Sequence, residues 1–225
     1  MKIYNNLNIK NNHKNSVILI GNFDGVHLGH QKVIAQARQK AKKNKLPFGL
    51  ITFEPMPVMF FNSNIKSHRI NSLEQKKIQL KKCRLDFLVI IKFNRSFSLL
   101  SAEQFIKKII FNKIRSKYVF VSKNFKFGKK RQGDIHTLKK FQNIYDFKTI
   151  VTSPLKKTKK TISSSLIRKK ISLGKIKETN KLLSRPWCVN GKVLKGNKRG
   201  RKIGFPTCNM KLRDYIVPKL GVYSV

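Results

Sequence analysis

A short apolar run, Ser16-Val17-Ile18-Leu19-Ile20, ends at Gly21, and beyond the loop Gly21 to Gly25 the pattern changes to that of a helix over residues 29–43. Val33, Ile34, Ala37 and Ala41 fall on one face of that helix, so the unit reads as buried strand, loop and amphipathic helix. The unit recurs. Phe48 to Phe53, Leu85 to Phe93, Tyr118 to Val121 and Phe147 to Val151 read as further strands. Helices are expected at 72–83, after Ser101, and at about 134–144. The first two open on capping boxes, Ser72-Leu73-Glu74-Gln75 and Ser101-Ala102-Glu103-Gln104. The second carries the stripe Phe105, Ile106, Ile109, Ile110 and Ile114. Strands alternating with helices imply right-handed crossovers and a parallel sheet, with ligands at the carboxyl ends of the strands. The Gly21–His30 loop belongs there.

After about residue 184 the helical spacing stops and glycines become dense (Gly191, Gly196, Gly200, Gly204). This segment reads as the start of a separate β domain, reaching a strand at Gly221-Val222-Tyr223-Ser224-Val225. The expected division is 1–184 for the α/β domain and 185–225 for the opening of the second, incomplete one. No apolar run approaches the roughly 18–20 residues of a membrane span. The start, Met1-Lys2-Ile3-Tyr4-Asn5-Asn6, has no apolar signal region, and three dispersed cysteines make no metal or disulfide pattern. A cytoplasmic protein is expected.

Charge is the compositional outlier: 51 Lys+Arg against 9 Asp+Glu, a formal net charge of +42. Such a chain attracts polyanions. Lysine far outnumbers arginine, however, and alanine is scarce, which fits A/T-rich codon bias and a solvated basic surface. Charge alone leaves both readings open.

The chemistry concentrates in Gly21-Asn22-Phe23-Asp24-Gly25-Val26-His27-Leu28-Gly29-His30. Two histidines flank a glycine where a helix begins after a buried strand. A helix N-terminus offers unpaired N–H groups and the positive end of its dipole to phosphate, and glycine permits close backbone approach. The imidazoles can then donate to oxygens gaining charge in a phosphoryl or nucleotidyl transition state. A metal site would lack a nearby third ligand. The bland alternative is a pair of capping and packing histidines.

The same decapeptide resembles the HxGH signature of nucleotidylyltransferases, in the form found in bacterial bifunctional FAD synthetases (riboflavin kinase/FMN adenylyltransferase). Four later segments resemble that family in order. Thr52-Phe53-Glu54-Pro55-Met56-Pro57 is similar to TFEPHP, with Met56 in place of histidine, and Asn124 to Asp134 is similar to [ND]FxFGxxRxGD. Ile162-Ser163-Ser164-Ser165-Leu166-Ile167-Arg168 is similar to ISSTxIR; alone, this stretch reads equally as a serine-capped basic helix. Gly200 to Asn209 is similar to the kinase motif GRxxGFPTAN, with Cys208 for alanine.

The resemblance implies a Rossmann-like nucleotidylyltransferase domain followed by an incomplete riboflavin-kinase β-barrel. It implies FAD biosynthesis by adenylyl transfer from ATP to FMN, with Mg²⁺ as cofactor and no specific nucleic-acid or membrane partner. His27, His30 and Arg168 would be catalytic, and Gly21, Asn22, Phe23, Gly29, Ser164 and Ser165 would bind ATP and its phosphates. Asn124 would lie on the flavin side, with Lys129, Lys130 and Arg131 as further candidates for phosphate contact. Thr207 and Asn209 would be the kinase module's Mg²⁺ and ATP residues; riboflavin would be its substrate, and its activity is expected to be lost or impaired. The rival readings are a transferase acting on another phosphate, a decayed inactive relative, and a basic nucleic-acid-binding protein.

Overall fold

The apolar runs assemble into one six-stranded parallel sheet. Its strands are β1 (Lys2–Tyr4), β2 (Val17–Ile20), β3 (Phe48–Glu54), β4 (Phe87–Lys92), β5 (Tyr118–Ser122) and β6 (Lys148–Thr152). The computed structural model describes residues 1–62, 64–65, 68–157, 160–196, 201, 204–212 and 215–223. The strand order is β1-β4-β3-β2-β5-β6 and every ladder is parallel. The chain winds outward from β2 through β3 to β4, then crosses back to lay β5 and β6 on the other side. That reversal opens a crevice at the carboxyl ends of β2 and β5.

Helices cover both faces: α1 (Leu28–Lys43), α2 (Pro57–Phe61), α3 (Leu73–Lys82), α4 (Arg95–Ser98), α5 (Ala102–Phe105), α6 (Ile135–Gln142), α7 (Ser164–Ser172) and α8 (Ile176–Leu183). Buried positions alternate along β2. Val17 and Leu19 pack with Ile34, Ala37 and Ala41 of α1, whereas Ile18 and Ile20 face the opposite core. Both expected capping boxes form, at Ser72 with Gln75 and at Ser101 with Gln104.

Two features of the α/β domain depart from the sequence reading. Lys2–Tyr4 adds an edge strand beside β4 that three residues could not announce. It is fixed by the Tyr4 hydroxyl against His13 Nδ1 at 2.8 Å and by the His13 ring stacked on Phe87 at 4.8 Å. The helix after Ser101 is α-helical for only a turn and continues as a π-helix over Ile106–Ile114. Widened i→i+5 turns bring Phe105, Ile106, Ile109, Ile110 and Ile114 onto the sheet together, none more than 2% exposed.

One glycine is required by close approach. Gly49 of β3 lies opposite Phe87 of β4, and a Cβ there would meet the Phe87 ring at 2.2–2.5 Å. The ring is wholly buried and cannot yield. Gly49→Ala is therefore expected to cost about 3 kcal/mol through overpacking, read as a lowered urea midpoint.

After α8 the chain forms a two-stranded antiparallel pairing of Val193–Leu194 with Asn209–Met210. Thr207 and Asn209 are exposed there. Residues 200, 202 and 203 of the kinase-like motif lie outside the described residues. The strand expected at 221–225 is not found: residues 221–223 pair with no described strand and Val222 is fully exposed, while 224 and 225 lie outside the described residues. A strand without a neighbour has no ladder to hold it extended.

Candidate active site

The loop after β2 climbs from the sheet into α1 and is tied down from beneath. Asp24, 2% exposed, accepts from the backbone N–H groups of Ile70 at 3.1 Å and Asn71 at 3.4 Å, and pairs with Arg168 Nη2 at 2.6 Å. Its carbonyl accepts from the Ser164 hydroxyl at 2.9 Å. One buried carboxylate thus joins the signature loop, the segment before α3, and α7. On the other side of the loop, the Asn22 carbonyl accepts from Lys76 Nζ at 3.1 Å and from the Thr52 hydroxyl at 3.2 Å.

His27 and His30 occupy the mouth of α1, with their rings stacked at 3.6 Å and 18° apart. His27 is the N-cap: its Nδ1 accepts from the His30 backbone N–H at 3.3 Å, which leaves the proton on Nε2. His30 Nδ1 is buried without a hydrogen-bond partner. A Cβ at Gly29 would lie 3.1 Å from the His27 ring and 3.3 Å from the Ile162 carbonyl, so a larger residue there would crowd the stacked pair.

Both imidazoles are neutral at physiological pH. Burial, reinforced by the cations of Arg168 and Arg185, pushes His27 down to about 4. Burial also holds His30 well below its ordinary value, with His27, Lys76 and Arg168 adding to the effect. Between about pH 6.5 and 4 the unfolded chain binds a proton at residue 27 that the folded chain does not. Stability from this group is therefore complete above pH 6.5 and declines as pH falls through that window, by on the order of 3 kcal/mol in full. Urea midpoints measured across the window should fall with acidity, and His27→Asn should make that fall shallower by about one proton.

Two adjoining cavities open beside the loop after β2; His30 lines the smaller, and His27 lines neither. The larger, about 470 Å³, is walled by Phe53, Phe61, Phe93, Phe97, Phe105, Phe125 and Phe127, with Asn124, Lys126, Lys130 and Arg131 at its polar side. The smaller, about 170 Å³, lies between the ends of β2 and β5 and is lined by Gly21, Asn22, Phe23, His30, Thr152 and Ser164. Ile20, Gly21, Asn22 and Ser122 border both.

The sequence-derived candidates therefore gather as follows. Gly21, Asn22, Phe23, His30 and Ser164 converge on the smaller cavity, Asn124 on the larger. Ser165 is exposed on the first turn of α7, whose N-cap is Ser163, accepting from Leu166 N–H at 3.2 Å. Arg168 reaches the loop from that helix, but its Nε and Nη2 are engaged by the His68 carbonyl and Asp24. Thr207 and Asn209 line neither cavity. Among the described residues no group of three or more His, Cys, Asp or Glu could hold a metal.

Sequence reasoning passed over Asp24 as an anchor, the phenylalanine wall, and Lys76. Lys76 had a signal: with Leu73 and Leu80 it falls on the apolar face of α3 at helical spacing, and it is 1% exposed.

Comparison with known proteins gives a consistent assignment. The family model described as FAD synthetase matches residues 9–166, and that described as riboflavin kinase matches 183–225. A protein of Buchnera aphidicola (subsp. Schizaphis graminum) named bifunctional riboflavin kinase/FMN adenylyltransferase is 44% identical over 97% of this chain and 70% of its own length. An Escherichia coli protein of the same name is 34% identical over 93% of this chain and 67% of its own. A crystal structure described as a macrolide-efflux protein from Streptococcus pneumoniae superimposes with a TM-score of 0.82 at 32% identity, covering 98% of this chain and 72% of that one. Among the described residues no helix is long and apolar enough to cross a membrane.

Proposed function

The chain belongs to the family of bifunctional FAD synthetases, and from that premise we propose that its α/β domain, residues 1–184, makes FAD and diphosphate from FMN and ATP at the His27–His30 site. Residues 185–225 correspond in this reading to the opening of the riboflavin-kinase domain. The observation that carries the proposal is the pair of joined cavities that meet at the ends of β2 and β5, the smaller one lined by His30 from the first turn of α1.

An aromatic cavity of about 470 Å³ with cations at one side suits a planar heteroaromatic ring bearing a phosphate. The smaller cavity at the sheet reversal suits the nucleotide, whose phosphates would lie against the N-termini of α1 and α7. An oxygen of the FMN phosphate attacks the α-phosphorus of ATP. The bond to the bridging oxygen breaks on the opposite side, and diphosphate leaves.

His27 donates from Nε2, and His30 beside it serves the same charge as it develops on the α-phosphate oxygens. A neutral imidazole keeps one ring N–H, and that donor can be aimed at the developing charge. Ser165, exposed on the first turn of α7, offers its hydroxyl to the departing diphosphate, and Ser164 would join it on releasing the Asp24 carbonyl. Arg168 acts from a fixed place, since Asp24 and the His68 carbonyl hold its Nε edge. Asn124 contacts the flavin side.

Mg²⁺ would spread the charge of the departing diphosphate. Asp24 is committed to two N–H groups and Arg168, and the described residues offer no carboxylate cage. That donor set fits a largely hydrated ion carried in on the nucleotide. We read the lysine excess as solvated surface, with small-molecule partners and a cytoplasmic site of action.

Acceptor competition tests the substrate class. With MgATP fixed, FMN should be adenylylated in preference to nicotinamide mononucleotide, phosphopantetheine and glycerol 3-phosphate. Preference for another acceptor would overturn the flavin assignment.

A further inference from the structure

Arg185, in the turn after α8, contributes a cation that no ion pair among the described residues neutralises. Its Nη2 donates to the Gly25 carbonyl at 2.6 Å and to Asn71 Oδ1 at 3.0 Å, and its Nη1 to the Leu183 carbonyl at 3.0 Å. The Val26 carbonyl lies a further 3.5 Å from Nη1. Arg185 thus grips the two peptides that immediately precede His27. Those peptides need a grip: Val26 has φ +39°, a left-handed conformation that a β-branched residue keeps only when its surroundings impose it. The same carbonyl also accepts from Gln31 Nε2 at 2.9 Å, and Gln31 is held in turn by the Ser184 hydroxyl.

Asn71 continues the connection away from the site. Its Nδ2 donates to Gln75 Oε1 at 3.3 Å, which also accepts from the Tyr215 hydroxyl at 3.0 Å. Tyr215 is 5% exposed, and its hydroxyl accepts from the Asn190 N–H at 3.3 Å. Gln75 Nε2 donates to the Cys188 carbonyl and to Asn190 Oδ1, each at 3.1 Å. Trp187 Nε1 meets the Ile70 carbonyl at 2.9 Å, and the Ile216 N–H meets the Arg69 carbonyl at 2.8 Å. The segment following α8 is therefore fastened to the residues that hold the signature loop.

We propose that Arg185 is a positioning residue for His27, and that the C-terminal segment sets its place through Tyr215, Gln75 and Asn71. The proposal rests on the adenylyl-transfer reading of the site. A guanidinium can bridge several carbonyls that an ammonium cannot, so lysine should substitute only in part. Misplacement of a reacting group by about 1 Å can cost about 100-fold in rate, which sets the scale expected.

Three variants test this, each with steady-state FAD formation, thermal unfolding, and the ¹H–¹³C signals of the His27 ring. Arg185→Met should lower kcat about 100-fold and Arg185→Lys about 10-fold, with KM for FMN and ATP within about 3-fold of wild type. Tyr215→Phe should lower kcat about 3-fold and shift the His27 signals while unfolding as wild type does. If Arg185→Met does not fold, the other two variants decide. Folded Arg185→Lys and Tyr215→Phe proteins with wild-type kcat and unmoved His27 signals would overturn the proposal. A change confined to Arg185→Lys would overturn the link to Tyr215. If wild-type protein forms no FAD, the His27 signals still decide: their movement in Tyr215→Phe upholds the coupling and places the failure on the substrate assignment.

Discussion

His27→Asn should abolish most FAD formation while leaving the fold intact. Asparagine is among the best N-cap residues, so its side-chain oxygen can accept the His30 N–H as Nδ1 does now, and α1 should keep its start. What disappears is the Nε2 donor and the stacked ring 3.6 Å from His30. Loss of one preorganised donor to a charge-gathering oxygen costs about 10²–10³-fold in kcat, or about 3–4 kcal/mol of transition-state stabilisation. His30→Ala should cost at least as much, because it removes the second imidazole and unstacks the first. The comparison separates the catalytic reading from the bland one of capping histidines. A purely capping role predicts that His27→Asn retains activity. Circular dichroism and the urea midpoint should accompany the rates, so that a loss of activity at unchanged stability is attributed to chemistry.

Asp24→Ala should be the most destabilising single change at the site. It would leave the buried N–H groups of Ile70 and Asn71 without their acceptor and the half-buried Arg168 without its counter-charge. Removing one partner from such a buried pair typically costs about 3–5 kcal/mol, far more than the pair's net contribution. Activity should fall with stability, since the loop that carries His27 loses its tie to α7. Arg168→Met alone should cost less, because Asp24 keeps two backbone donors. The double variant should then be less destabilised than the sum of the singles, and a coupling of about 1–3 kcal/mol in the cycle is the expected signature. Additive effects would mean that Asp24 and Arg168 act independently.

The core of this fold was legible because strands buried on both faces are written as continuous Val, Ile, Leu and Phe, and α1, α3 and α6 as helical stripes between caps. What escaped depends on contacts that no local pattern records. Lys2–Tyr4 is a strand only because β4 lies beside it, and Pro57–Phe61 is a single helical turn. The π-helix at Ile106–Ile114 differs from an α-helix by a register that shows only once its isoleucines meet the sheet.

At the site, the residues of the signature were readable one by one, but their division of labour was not. Asp24 looked like one more polar loop residue until its partners, Ile70, Asn71 and Arg168, came from distant parts of the chain. The phenylalanines that wall the large cavity come from separate segments of the chain, and no local pattern marks them as neighbours. Of the cations behind the +42 net charge, Lys126, Lys130 and Arg131 are among those lining the larger cavity, and Lys76, Arg168 and Arg185 bond to the loop beside it.

The most direct test of the account is product formation by the purified chain supplied with FMN and MgATP. The account predicts FAD and inorganic diphosphate in equal amounts, one of each per ATP consumed, with no adenylylated protein trapped on quenching. Consumption of ATP to ADP or AMP without FAD, or no consumption while both substrates bind, would contradict it.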